Sequence, residues 1–231
     1  MTRWRMAVVI PARNEQQLIG RCLESVAVAA ARSRALPRRT PVDVVVVADS
    51  CTDDTAAIAR SVAGVTVIET AVASVGAARR IGVAAALAAS AARSDRLWIA
   101  NTDADSIVPA HWLTGQAAIA RRGPELMLGT VTPEFADLSA EQQDAWRARR
   151  TVGEVHGANL GIRADRYLAV GGFAPLAEHE DVDLVARCVA AGVAPLATDS
   201  CDVTTSGRQV GRTPGGYARF LRTDLLADPT S

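Results

Sequence analysis

The stretch VDVVVVADSCTDDT, Val42 to Thr55, opens on a β-branched run and closes on small polar and acidic residues. A strand buried on both faces has no polar side to show, so it reads as a continuous apolar run. Ser50, Thr52 and Asp53 have the chemistry of a turn and a helix cap. The residues that follow, AAIARSV, continue as a helix. The unit is a buried strand that turns sharply into a helix.

The same unit recurs on either side. MAVVIP (6–11) is a short apolar strand stopped by Pro11. NEQQLIGRCLESVAVAAARS (14–33) sets Leu18, Cys22, Leu23 and Val26 at helical spacing, with Asn14 as its N-cap. VTVIE (65–69) is a third strand, SVGAARRIGVAAALAASA (74–91) a long alanine-rich helix, and RLWIANTD (96–103) a fourth strand. Strand and helix alternating in this way predict a parallel sheet with crossover helices. In such sheets ligands gather at the carboxyl ends of the strands. The polar residues that close these strands, Arg13, Asn14, Asp49, Asp103 and Asp105, are predicted to face one crevice.

The second half is less regular. PAHWLTGQAAIARR (109–122) reads as a helix with Pro109 near its first turn. ELMLGTVTP (125–133) is strand-like, SAEQQDAWRARR (139–150) a polar helix, and VHGANLGIRADRYLAVGGF (155–173) a short strand and helix among glycines. DVDLVARCVAAG (181–192) is a helix ended by Gly192. No repeat, linker or composition break separates the halves. The expectation is one α/β domain over residues 1–231, with about 1–105 binding a nucleotide and about 106–231 completing the site.

Composition narrows the class. The 231 residues are 49% hydrophobic and 22% charged, as in ordinary globular proteins, and the formal net charge is +0, which argues against a broad electrostatic grip on nucleic acid. The mostly alanine run Ile81 to Ala92 is too short to span a bilayer, which needs roughly 20 apolar residues. The basic N-terminus lacks a signal-peptide cleavage pattern and reads as the lead into the first strand. Cys22, Cys51, Cys188 and Cys201 form no CxxC pair and read as reduced thiols, so the chain is expected in the cytoplasm. The sequence has no lysine, which excludes a P-loop lysine and a Schiff-base mechanism.

Five clusters could carry chemistry, each with a structural alternative. Asp103-Ala104-Asp105 would turn both carboxylates to one side of extended backbone, where they either hold a divalent cation or cap the next helix. Asp49 either accepts from a base or sugar hydroxyl or belongs to the turn after it. Arg79 and Arg80, in GAARRIG, offer guanidinium groups to a diphosphate or a base, or else face solvent. EHEDVDL (178–184) places Glu180 and Asp181 at a helix start, where a carboxylate either favours the helix terminus or takes a proton from a hydroxyl. Arg208 and Arg212 lie in a glycine-rich segment and either close over phosphates or form a solvated basic loop.

Taken in order along the chain, VVIPARNE, VVVVADSCTDDT, GAARRIG, NTDADS and GANLGIRADRYLAVGGF followed by EHEDVDLVARCVAAG resemble the motifs of the family 2 glycosyltransferases of the GT-A fold. That resemblance implies a single domain with a Rossmann-like, mostly parallel central sheet flanked by helices. It implies a metal-dependent, inverting transfer of sugar from a nucleotide-diphosphate sugar to an acceptor hydroxyl, on a small molecule or a lipid-linked acceptor. Pro11, Ala12, Arg13 and Glu15 would border the nucleotide, Asp49 would contact the base, and Arg79 the base or diphosphate. Asp103 would contact the nucleoside and Asp105 would bind Mg²⁺ or Mn²⁺. Asp181 would be the general base with Glu180 beside it, and Arg208 and Arg212 would clamp the leaving group.

The chain departs from the family pattern at Ala48, Ser50, Cys51 and Arg80, and lacks the C-terminal membrane helices of polysaccharide-synthase members. Sugar, base, acceptor and oligomeric state stay open, as does peripheral membrane contact. Two rivals remain: a nucleotidyltransferase, and a non-catalytic module that binds a nucleotide sugar. A dinucleotide-binding dehydrogenase fits worst, because no GxGxxG follows the first strand.

Overall fold

The computed structural model describes residues 4–35, 39–213 and 215–227. The reading of the N-terminal residues 1–3, and Pro214 within the glycine-rich segment, lie outside the described residues.

Strands β1 (Arg5–Ala12), β2 (Val42–Asp49), β3 (Val65–Thr70) and β4 (Leu97–Asn101) form a parallel block in the order β3-β2-β1-β4. Their side chains explain why these runs lack polar alternation. Met6, Val8 and Ile10 enter one core, while Ala7 and Val9 enter the other. Val44 and Val46 divide from Val45 and Val47 in the same way, and Trp98 and Ala100 from Leu97 and Ile99. β1, β2 and β4 are covered on both faces over these positions, which therefore have to be apolar, whereas edge strand β3 exposes Thr66 and Glu69. Helices α1 (Ile19–Ala35), α2 (Thr55–Ser61) and α4 (Trp112–Arg122) contribute to the first core, and α3 (Val75–Ala89) to the second.

The sheet continues from β4 into β7 (Leu160–Arg163), β6 (Leu126–Pro133), β8 (Pro195–Thr205) and the two-residue β5 (Ser106–Ile107). Strand β7 is antiparallel to both β4 and β6, whereas β8 runs parallel to β6 with a bulge between Gly129 and Val131. Helix α6 (Ala164–Ala169) follows β7, and α7 (Glu180–Ala190) packs Leu184, Val185 and Cys188 into the second core. Helix α5 (Ala140–Arg149) starts on a capping box in which Ser139 and Gln142 satisfy each other's backbone N–H. It packs Trp146 against Leu221 and Leu225, beyond α8 (Tyr217–Arg219). Among the described residues no helix is long and apolar enough to cross a membrane.

Pro109 lies just ahead of the first turn of α4, whose N-cap is His111. The structure corrects three local expectations. Asn14 is not the cap of α1. It sits at φ 52° and its side-chain oxygen accepts the Thr52 N–H at 2.8 Å, so the loop stays out of the helix to reach the turn after β2. The helix begins only at Ile19, on the Glu15 carbonyl. Asp103 and Asp105 lie in a turn beyond the end of β4, closed by Ser106 N–H to the Asp103 carbonyl, and not in extended backbone. The eleven-residue β8 has no counterpart in the sequence reading. Its first half is mostly exposed and only two-residue β5 lies outside it, so its residues carry no apolar run.

Helix α3 approaches the sheet through Gly82. A Cβ there would lie 2.6 Å from Val9 Cγ1 and 3.1 Å from Val47 Cγ2. Overpacking of this kind costs about 1–3 kcal/mol. Gly82→Ala is therefore expected to lower the unfolding free energy by that amount, read as a lower urea midpoint with an unchanged m-value. A midpoint equal to wild type would mean that α3 does not rest on β1 and β2 at this point.

Candidate active site

The carboxyl ends of β1, β2 and β4 open into a cleft of about 500 Å³, within the usual range for ligand pockets. Of the residues singled out by sequence, Pro11, Ala12, Arg13, Glu15, Asp49, Arg79, Asp103, Asp105, Glu180, Asp181, Arg208 and Arg212 line it. Asn14, expected to face the crevice, does not line it, because its side chain is turned to the Thr52 N–H. Arg80 does not line it either and is exposed on α3.

Arg79 lies at the floor, 1% exposed. Its Nε donates to Glu180 at 2.9 Å and its Nη2 to Asp103. Burial opposes the charge, but Asp103 and Glu180 outweigh it and hold the guanidinium ionised. Glu180 is itself buried, which pushes its carboxyl up, against the pull of Arg79. This pair fixes the first turn of α7. Its neighbour Asp181 then reaches the cleft, where its Oδ2 accepts the Gly157 N–H at 2.6 Å. Only glycine fits at 157: a Cβ would lie 2.6 Å from Arg79 Nη2 and 3.3 Å from Asp181 Oδ2.

A second guanidinium spans the opposite wall. Arg208 makes a two-pronged contact with Glu15, at 2.8 and 2.7 Å, and reaches Asp105 Oδ2 at 2.8 Å. Arg212 donates to the Asn14 carbonyl at 2.6 Å and lies 3.6 Å from Glu15. Glu15, expected beside the nucleotide, is thus the anchor of the two arginines. Asp105 is pushed up to about 6 by burial and by Asp103, with Arg208 opposing. Asp49 accepts the N–H groups of Ala73 and Ser74, both at 3.0 Å, and so fixes the loop that enters α3.

The wall made by the second half holds groups that the sequence reading passed over. Glu154, His156, Tyr217 and Phe220 line the cleft, and burial lowers the His156 pKa. Aromatic residues are only 4% of the chain, so a Tyr and a Phe three positions apart were a signal available in the sequence. The lining as a whole is acidic. Glu15, Asp49, Asp103, Asp105, Glu154, Glu178, Glu180 and Asp181 face Arg13, Arg79, Arg208 and Arg212. Among the described residues no group of three or more His, Cys, Asp or Glu side chains is gathered to hold a metal ion. Asp105 and Asp103 are hard oxygen donors, and Mg²⁺ commonly takes one or two protein carboxylates and completes its shell with phosphate and water. The residues therefore fit such a cation.

Comparison with known proteins places this chain in a family. The family model described as "Glycosyl transferase family 2" matches residues 7–163. The 4,4'-diaponeurosporenoate glycosyltransferase of Staphylococcus aureus (strain MRSA252) is 41% identical over 64 residues, which is 28% of this chain and 14% of that protein. S. aureus TarS (1–349) in complex with UDP-GlcNAc superposes with a TM-score of 0.65 at 17% identity, covering 92% of this chain and 61% of that one. The mannosyltransferase PcManGT of Pyrobaculum calidifontis, in complex with GDP-Man and Mn²⁺, gives 0.64 at 20% identity, covering 91% and 59%. Glucosyl-3-phosphoglycerate synthase from Mycobacterium tuberculosis, with Mg²⁺ and UDP, gives 0.53 at 19% identity, covering 85% and 71%. These structures share the GT-A fold with the present chain. The chain spans a small part of the curated relative and about three fifths of the first two structures.

The raised pKa of Asp105 has a consequence for stability. A carboxyl whose folded pKa exceeds its unfolded value costs stability once ionised. The cost is absent below the unfolded value of 3.8 and complete above about 6. Asp105→Asn is therefore expected to melt a few degrees above wild type at pH 8, with the gap closing as pH falls through 6 towards 4. A wild-type protein that melts higher at pH 8 would show that the Arg208 contact outweighs the burial of the charge.

Proposed function

The chain belongs to glycosyl transferase family 2, and from that membership we propose that it moves a sugar from a nucleotide-diphosphate sugar to an acceptor hydroxyl with inversion. The observation that carries this reading is the convergence of Asp103, Asp105, Asp181 and Arg208 on one cleft at the strand ends. The structural neighbours crystallised with UDP-GlcNAc, with GDP-Man and Mn²⁺, and with UDP and Mg²⁺ support it at the level of donor class.

The nucleotide lies against Pro11, Ala12, Arg13 and Asp49, in the half formed by about residues 1–105. The acceptor enters from the half formed by about residues 106–231. Carboxylates outnumber guanidinium groups along the cleft, so a diphosphate meets net repulsion unless a cation accompanies it. Asp105, with Asp103 beside it, would hold Mg²⁺ or Mn²⁺, which when bound supplies positive charge to the diphosphate. Arg208 and Arg212 stand on the same wall and add charge that is already oriented towards the leaving group. Asp181 takes the proton of the acceptor hydroxyl. That oxygen forms its bond to the anomeric carbon while the bond to the diphosphate breaks on the opposite face. The N–H of Gly157 holds the carboxylate in place for this step. One displacement needs no covalent enzyme intermediate. Nucleotidyl transfer would instead release pyrophosphate from a nucleoside triphosphate.

General-base catalysis contributes about 10²–10⁴-fold to rate. Asp181→Asn is expected to lose that much transfer of labelled sugar from UDP-GlcNAc or GDP-Man while keeping UDP or GDP affinity. An Asn variant with full activity would remove Asp181 as the base. Asp105→Ala is expected to weaken Mn²⁺-dependent binding of the nucleoside diphosphate about tenfold or more, since losing even a group that only orients a metal ligand costs about 10–100-fold. Calorimetry that gives the same affinity for both proteins would dismiss the metal assignment.

A further inference from the structure

A second, smaller cavity of about 150 Å³ opens beside the cleft. It shares Glu154, His156, Tyr217 and Phe220 with the cleft and ends on Trp146. We infer that this side cavity is the acceptor subsite and that it takes an uncharged, polyhydroxylated sugar ring. The inference rests on the transferase reading above.

The cavity has an aromatic side with polar groups around it. The rings of Tyr217 and Phe220 are stacked, 26° from parallel with centroids 5.7 Å apart, and both line it. Trp146 Nε1 donates to the Tyr217 hydroxyl at 2.9 Å and fixes the ring that is common to both cavities. His156 stands edge-on to Tyr217 at 83°. Glu154, Thr130 and Thr151 complete the rim with carboxylate and hydroxyl groups. A sugar ring has C–H faces that pack on an aromatic surface, and hydroxyls at its edge that pair with such a rim. The volume leaves room for one such ring.

Other acceptor classes fit less well. An anionic acceptor would meet a rim in which Arg150 is already paired with Asp202 and Arg149 holds the carbonyls of Asp224 and Ala227. Glu154 adds negative charge to the same rim. A purely apolar chain would take water from the Glu154 carboxylate, a cost that its hydrogen bond from Thr151 only partly offsets. The position also suits the chemistry. His156 immediately precedes Gly157, whose N–H holds Asp181. The side cavity thus opens into the same cleft that Asp181 lines.

The test is saturation-transfer NMR without donor or turnover, using methyl α-D-glucopyranoside, methyl α-D-mannopyranoside and methyl β-D-galactopyranoside as probes. At least one glycoside is expected to bind, with transfer strongest at its C–H protons. Tyr217→Ala and Phe220→Leu should weaken that binding at least tenfold, and Tyr217→Phe, which keeps the ring, by less. Phe220→Leu keeps the packing volume, and its melting temperature shows whether it folds. The proposal is overturned if none of the glycosides binds, if Phe220→Leu binds them as wild type does, or if glycerol 3-phosphate or p-nitrophenol takes the cavity instead. Because binding is read without transfer, an inactive enzyme that still binds a glycoside would overturn the transferase reading and leave the subsite standing.

Discussion

A single guanidinium, that of Arg79, is buried where three distant parts of the chain meet. It pairs with Asp103, 24 residues away, and with Glu180, 101 residues away. A buried charge is tolerable only with its partners in place, and breaking such a pair by removing one of them costs about 3–5 kcal/mol. The turn after β4 and the first turn of α7 therefore have to dock on α3 together. The start of α3 is arranged for the same meeting. Gly76 donates to the Leu176 carbonyl at 3.0 Å, and a Cβ on it would collide with the Ala174 carbonyl. The nucleotide-type half and the irregular half thus share one electrostatic joint, and the cleft is the space around it.

Arg208 performs the matching task on the opposite wall. It arrives from beyond β8 and joins Glu15 to Asp105, so the two ends of the chain meet across the cleft. Between them, Arg79 and Arg208 make a basin of carboxylates compatible with a folded chain. The compensation is incomplete at Asp105, whose carboxyl stays above its ordinary range. A group held in that condition gains more from a cation or an incoming charged ligand than a fully neutralised one. Stability forgone at the site becomes binding free energy available to the ligand.

The parallel half of the fold was readable because burial on both faces forces a strand into a continuous apolar run, as in Val44 to Val47. The cleft positions of Arg13, Asp49, Asp103 and Asp105 were readable for a related reason: in such a sheet the polar residues that close the strands have one place to go. What sequence could not supply was pairing over long separations. Nothing in Glu15 or Arg208 announces a partner 193 residues away. Strand β8 was illegible because most of its first half faces outward and lacks the pattern that burial imposes. Asn14 was misassigned because its local chemistry, that of a helix cap, is used instead by the Thr52 N–H across the loop.

Asp49 carries the sharpest ambiguity of the sequence, between turn residue and ligand contact, and the geometry dissolves the choice. Its two oxygens accept the N–H groups of Ala73 and Ser74, one each, so it does organise the loop before α3. An ionised carboxylate offers about four lone-pair sites. Ser50 Oγ takes a third, at 3.1 Å, yet Asp49 still lines the cleft. The residue before it, Ala48, is buried within the sheet and brings no second acid to the strand end. The carboxylate that orders the loop is thus the same one that β2 presents to the cleft, and the loop it orders leads directly into the helix that carries Arg79. A change at Asp49 consequently acts on the cleft wall and on the buried joint together, by way of the first turn of α3.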